Sequence, residues 1–148
     1  MIRIFLFLFI TSLSLFAVSF WTLTGLTKAN IYIVNEVTSL DAKTISTTKE
    51  KMKTMLHSIG LKTEQQDSPT LMMAFREIEN EGTHYVYVEL ALGEEVHTLR
   101  EDKSPAFVIS YLTNDFIEVD SDELTTEVLE SVDFVLSTFV EQFEEDKD

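Results

Sequence analysis

The chain has 148 residues, with 26 acidic against 11 basic side chains for a formal net charge of -15, and it contains no cysteine. Those counts exclude a disulfide framework, a zinc–thiolate centre, a thiol nucleophile and a lipid-modified cysteine. A charge this negative also opposes general nucleic-acid binding, because each phosphate contact works against the protein's own field.

Residues 4–26 carry no charged side chain; Arg3 precedes them and Lys28 follows. A basic start leading into an apolar stretch is the pattern of an export signal. Ala17-Val18-Ser19 offers a small-x-small cleavage site that removes residues 1–19 and leaves Phe20 first. Cleavage directly after Ala17 and cleavage at Thr27-Lys28-Ala29 are the alternatives. The competing reading is an uncleaved membrane anchor over residues 4–26, since about 20 apolar residues span a bilayer core. Trp21 would then be an interfacial anchor. In both readings the remainder lies across a membrane: periplasmic or secreted if cleaved, held at the inner membrane and facing the periplasm if not. That remainder is read as one domain, 29–145, with an acidic tail at 146–148.

Asn30–Val37 alternates and predicts a short strand. Lys43–Ile59 predicts a helix with Ile45, Thr48, Met52, Met55, Leu56 and Ile59 on one face, capped by Ser39 or Asp41. Gly60 fits the residue after a helix end, where only glycine enters the left-handed region cheaply. A strand is expected at Leu61–Gln66. Leu71–Glu79 suits a helix by propensity and a strand by its place between turn signals. Asn80-Glu81-Gly82 closes a hairpin.

Thr83–Thr98 alternates most clearly. Val86, Val88, Leu90, Leu92 and Val96 share one parity; Tyr85, Tyr87, Glu89, Glu95 and His97 share the other. That is a sheet with one covered and one wetter face. Gly93 marks a candidate bulge. Pro105–Leu112, apolar on both parities, is expected to be a central strand. Thr113-Asn114-Asp115 reads as a turn into a short strand, Phe116–Val119. Asp120 is the expected N-cap of a last helix, with Glu123 three residues on and Val119 stapling Leu124. Leu124, Val128, Val132, Val135, Phe139 and Phe143 form its apolar stripe, widened by Leu129, Leu136 and Val140. The order predicts an α+β two-layer sandwich: an antiparallel sheet of about 4–6 strands, two helices on one face, and the N-terminal hydrophobic segment ahead of it.

The charge is uneven. Residues 20–114 carry 9 basic and 13 acidic side chains, whereas residues 115–148 carry 1 and 13. The acidity belongs mainly to the last helix, whose Glu127, Glu130 and Glu141 are candidate contacts for a basic partner; a solvated helix surface is the plainer reading.

Candidate chemistry is sparse. Asp120-Ser121-Asp122-Glu123 lacks the glycine and glutamate spacing of an EF-hand loop, and capping explains it better. Glu95 and His97 share a strand face and Arg100 follows, so a carboxylate orienting an imidazole is conceivable, but no nucleophile or second base stands with them. His57 sits near a helix end and His84 at a strand start. No phosphate loop or G-x-S-x-G is present, and no cofactor or metal is expected.

The layout of signal segment, one short α+β domain and acidic last helix resembles small uncharacterised exported bacterial proteins. The resemblance is one of architecture and carries no site residues across. The expected function is a non-enzymatic envelope protein that binds a protein partner or assists an assembly, through Tyr85, Tyr87, Glu89 and His97 on the open sheet face or through the acidic last helix. The alternative is a small periplasmic hydrolase or ligand-binding domain using Glu95, His97 and Arg100.

Overall fold

The computed structural model describes residues 22–63, 69–80, 83–119 and 123–147. The elements run β1 (Lys28–Asn35), α1 (Ala42–Ser58), β2 (Lys62–Thr63), β3 (Thr70–Asn80), β4 (Thr83–His97), β5 (Pro105–Val119) and α2 (Leu124–Glu145). The strands form one sheet in the order β2-β1-β3-β4-β5. The α+β class and the helix pair agree with the sequence pattern. The N-terminal segment before Thr22 lies outside the described residues.

The sheet is mixed, which corrects the expectation of an antiparallel one. β1 pairs in parallel with both β2 and β3, while β3–β4 and β4–β5 are antiparallel. The reason is α1. A connection carrying a helix is long enough to return the chain in its original direction, which a tight turn cannot do. β5 differs from expectation twice. It is one continuous strand through Thr113-Asn114-Asp115, because β4 pairs with it residue by residue there, and it lies at the sheet edge.

Helix α1 begins and ends on local chemistry. The Asp41 carboxylate accepts from Thr44 N at 2.7 Å and from Thr44 Oγ1 at 2.6 Å. At the other end Gly60 has φ +82°. Its N–H donates to the His57 carbonyl at 3.1 Å, and Leu61 N–H donates to the Leu56 carbonyl at 2.8 Å. These are the paired bonds of a Schellman stop, and they require the left-handed residue.

The two hydrogen bonds from Thr44, first the hydroxyl and then the backbone N–H, hold the Asp41 carboxyl below its ordinary range. A lowered folded pKa adds stability that is present above the unfolded value and lost as pH falls through the carboxylate range. Asp41→Asn keeps an acceptor oxygen but has no charge to titrate. Urea unfolding midpoints of the two proteins should therefore draw together as the pH is lowered. A gap that stays constant through acid pH would rule this cap out as a titrating contributor.

Helix α2 starts one residue after Glu123, which occupies the cap position and makes no side-chain cap bond. Glu123 is therefore not at the third helical position. Asp120, Ser121 and Asp122 lie outside the described residues. At the far end Asp146 is more than tail: its carboxylate accepts from Leu23 N–H and from Gln142 Nε2, tying the start of the fold to the end of α2.

The core fills the space between the helices and one sheet face. Met52 and Leu56 of α1 and Val128, Val132, Val135 and Phe139 of α2 pack over Leu71, Met73, Phe75, Val86, Val88, Leu90 and Leu92. Leu23 is buried with them and Leu26 packs against them, so the packing begins upstream of residue 29.

Candidate functional site

Strand β4 alternates as its sequence implies. Its valines and leucines face the helices, which leaves Tyr85, Tyr87, Glu89, Ala91 and Gly93 on the opposite face. Register then assigns the neighbours. Tyr85 and Tyr87 stand opposite Ile78 and Arg76 of β3, and opposite Glu118 and Phe116 of β5. Tyr32 of β1 stands beside Met72 on the same face. Among the described residues no element covers this side of the sheet.

The open face is apolar at its margins and ionic at its centre. Tyr32, Ile78 and Phe116 are each about half exposed, at 56, 49 and 52%. The Tyr85 and Phe116 rings stack at 5.2 Å with an 11° interplanar angle. Between them, Arg76 Nη1 lies 3.4 Å from Glu89 Oε1, and Arg76 Nε lies 3.8 Å from Glu36 Oε2. Tyr87 donates its hydroxyl to Glu89 Oε2 at 3.1 Å. Burial, reinforced by that bond to Glu89, raises the Tyr87 phenol above its ordinary pKa. The chemistry on offer is association: flat aromatic area with a fixed polar pattern inside it.

Gly93 is a bulge site, as its position in the strand implied. The register shifts between Leu92, opposite Tyr111, and Gly93, opposite Ile109, so Ser110 is the extra residue on β5. The shift turns Phe107 and Ile109 to the open face. A Cβ on Gly93 would stand 2.2 Å from Phe107 Cζ, so the ring lies directly over the glycine.

His97 and Glu95 share this face at the end of β4, and Arg100 lies on the turn beyond. All three are exposed. Among the described residues, clefts of about 590 Å³ lie between the helices, about 250 Å³ beside residues 22–28, and about 480 Å³ between β5 and α2. None is lined by Glu95, His97 or Arg100. Among the described residues no group of three or more acidic or histidine side chains could hold a metal ion.

The acidic candidates separate. Glu127 and Glu130 line the β5–α2 cleft together with Asp115 and Glu118 of β5. Glu141 is exposed farther along α2 and takes no part in it. Between the helices, Lys51 Nζ contacts the Asp133 carboxylate at 2.6 Å with both side chains substantially exposed. Such a pair contributes under about 1 kcal/mol.

Arg76, Tyr32, Ile78 and Phe116 were missed as site residues. Reading Pro105–Val119 as one alternating strand would have placed Phe116 and Glu118 on the open face. Nothing local reveals that Tyr32 shares it, because that depends on the parallel register of β1 with β3. No family model and no curated protein matches this chain.

Proposed function

We propose that this chain is an exported envelope domain that binds a protein partner through the open face of its sheet. The observation that carries the reading is the uncovered patch of Tyr32, Ile78, Tyr85 and Phe116 around the Arg76–Glu89 pair. An apolar, aromatic face of this kind, with polar groups already paired, is the composition of a docking surface. The net charge of -15 argues against a nucleic-acid partner.

The export reading rests on the uncharged stretch from residue 4. Among the described residues no helix is long and apolar enough to cross a membrane. Burial of Leu23 in the core favours cleavage at Ala17-Val18-Ser19 over cleavage at Thr27-Lys28-Ala29, which would remove a core side chain. It likewise favours an anchor that ends before Thr22 over one that runs to residue 26.

The test is site-specific crosslinking in the native envelope. A photoreactive phenylalanine analogue in place of Tyr32 should give a discrete adduct in the periplasmic or inner-membrane fraction. The adduct should disappear when Phe116 and Ile78 are both replaced by glutamate, with the far-UV circular dichroism unchanged. Persistence of the adduct in that variant would refute the reading. So would loss of knockout complementation on alanine replacement of Glu95, His97 and Arg100 with the adduct intact, which would favour the hydrolase alternative.

A further inference from the structure

The free edge of the sheet and the acidity of the chain meet in one place. Among the described residues β5 pairs on one side only, with β4, so its other side presents backbone N–H and C=O groups. Two of these are taken: Ser110 O accepts from Thr22 N at 3.1 Å, and Phe116 N–H donates to the Asp115 carboxylate at 2.9 Å. Beyond Ser110 the strand continues to Val119 beside the cleft that separates it from α2. The cleft walls carry Asp115, Glu118, Glu127 and Glu130, with no lysine or arginine among the lining residues. Ser131, 97% buried by its 3% relative exposure, also lines it, and its Oγ has no hydrogen-bond partner. Phe134, on the same wall, is half exposed.

A strand added along β5 would have two faces. One set of alternate side chains would point toward α2 and meet Asp115, Glu127 and Glu130, with Glu118 at the rim between the two faces. The other set would lie beside Phe116 on the open face. Resting on the reading above that this domain binds a protein, we propose that the β5 edge accepts an extended segment of that partner in which lysine or arginine alternates with apolar residues. The basic side chains occupy the β5–α2 cleft and the apolar ones extend the open face. A second copy of this chain fits less well, because β5 carries no lysine or arginine to meet the cleft carboxylates. The chain's own first 21 residues fit less well too, since their one basic side chain is Arg3.

The probe is a fluorescein-labelled octapeptide alternating lysine with valine, titrated into the full chain and read by anisotropy and by amide hydrogen exchange. The expected result is binding that weakens with added salt and slows exchange across residues 111–119. Replacing Glu127 and Glu130 together by glutamine should weaken it about tenfold, from up to about 1 kcal/mol per exposed charge pair. A peptide of the same composition with its lysines in one block should bind more weakly, because blocked lysines cannot all face the cleft. Equal binding of the two peptides, or binding without protection of 111–119, would overturn the proposal. So would protection of these amides by self-association of the chain in the absence of peptide. Leu99→Ala, on the exposed turn beyond β4 and outside both surfaces, should leave peptide binding unchanged. If the Tyr32 adduct persists while no peptide binds, the edge proposal fails and the open-face reading stands. If both are absent, the reading on which it rests fails with it.

Discussion

Replacing Phe139 with alanine is expected to lower the unfolding free energy by about 3–5 kcal/mol, the usual cost of emptying a buried aromatic site. Phe139 is fully buried where α2 crosses the sheet. Its ring meets the Tyr111 ring edge-on, at 5.1 Å and 87°, and lies parallel to the Phe143 ring at 6.4 Å. The neighbours belong to a helix and to a sheet held by continuous hydrogen bonding, so they cannot close the space. A domain of this size has about 5–15 kcal/mol in total, so the variant should retain a fraction of its stability. Phe134, on the same helix and 53% exposed, is the control. Phe134→Ala should change stability by no more than about 0.5 kcal/mol. Urea unfolding followed by circular dichroism reads both. Similar midpoints for the two variants would mean that Phe139 does not carry the helix–sheet contact.

Tyr111→Phe should act in the opposite direction. Tyr111 is 2% exposed, and its hydroxyl makes no hydrogen bond of good geometry, the Thr113 side chain approaching it without completing one. A buried hydroxyl without a partner costs about 1–3 kcal/mol in lost hydration, and removing it should return much of that. The ring stays, and with it the contact to Phe139. Burial pushes the Tyr111 phenol from its ordinary 10.0 up to about 12, opposed in part by Thr113. The sign of the pH effect follows. Between those values the unfolded chain releases this proton and the folded chain keeps it, so wild-type stability falls as pH rises. The advantage of Tyr111→Phe should therefore widen above pH 10. In a Phe139→Ala background it should shrink, because the vacated space lets water reach the hydroxyl, and neighbouring substitutions of this kind are not additive. A loss of stability in Tyr111→Phe at neutral pH would mean that the hydroxyl is satisfied and the argument is wrong.

Much of the fold was legible in local pattern. The helical stripe of Thr48, Met52 and Leu56, the stop at Gly60 and the alternation of β4 each depend on residues a few positions apart, so spacing alone reveals them, while the cap stayed open between Ser39 and Asp41 until the structure placed Asp41 on Thr44. Ser131 was not legible. It sits buried within the α2 stripe, and a serine in an apolar register looks like an interruption until the neighbouring strand is in place. Thr113-Asn114-Asp115 misled because its residues favour turns, yet opposite them β4 supplies Leu90, Glu89 and Val88 in register. A ladder of backbone hydrogen bonds outweighs so small a local preference.

The candidate surfaces divide in the same way. Tyr85, Tyr87 and Glu89 could be read as one face from the period of two, and Glu127 and Glu130 as acidic surface from composition. Their surroundings could not. Arg76 reaches Glu89, and Asp115 joins Glu127, only through pairings between segments far apart in the chain.

By itself the sequence determined the class of the protein: uncharged at its start, acidic at its end, α+β between, and without thiol chemistry. Those properties follow from side-chain type and short-range period. The tertiary structure alone decided that the sheet is mixed, that β5 is an edge strand, and that four carboxylates line one cleft beside it. Strand order and register are set by which surfaces pack together after the chain has turned, and no local spacing encodes them.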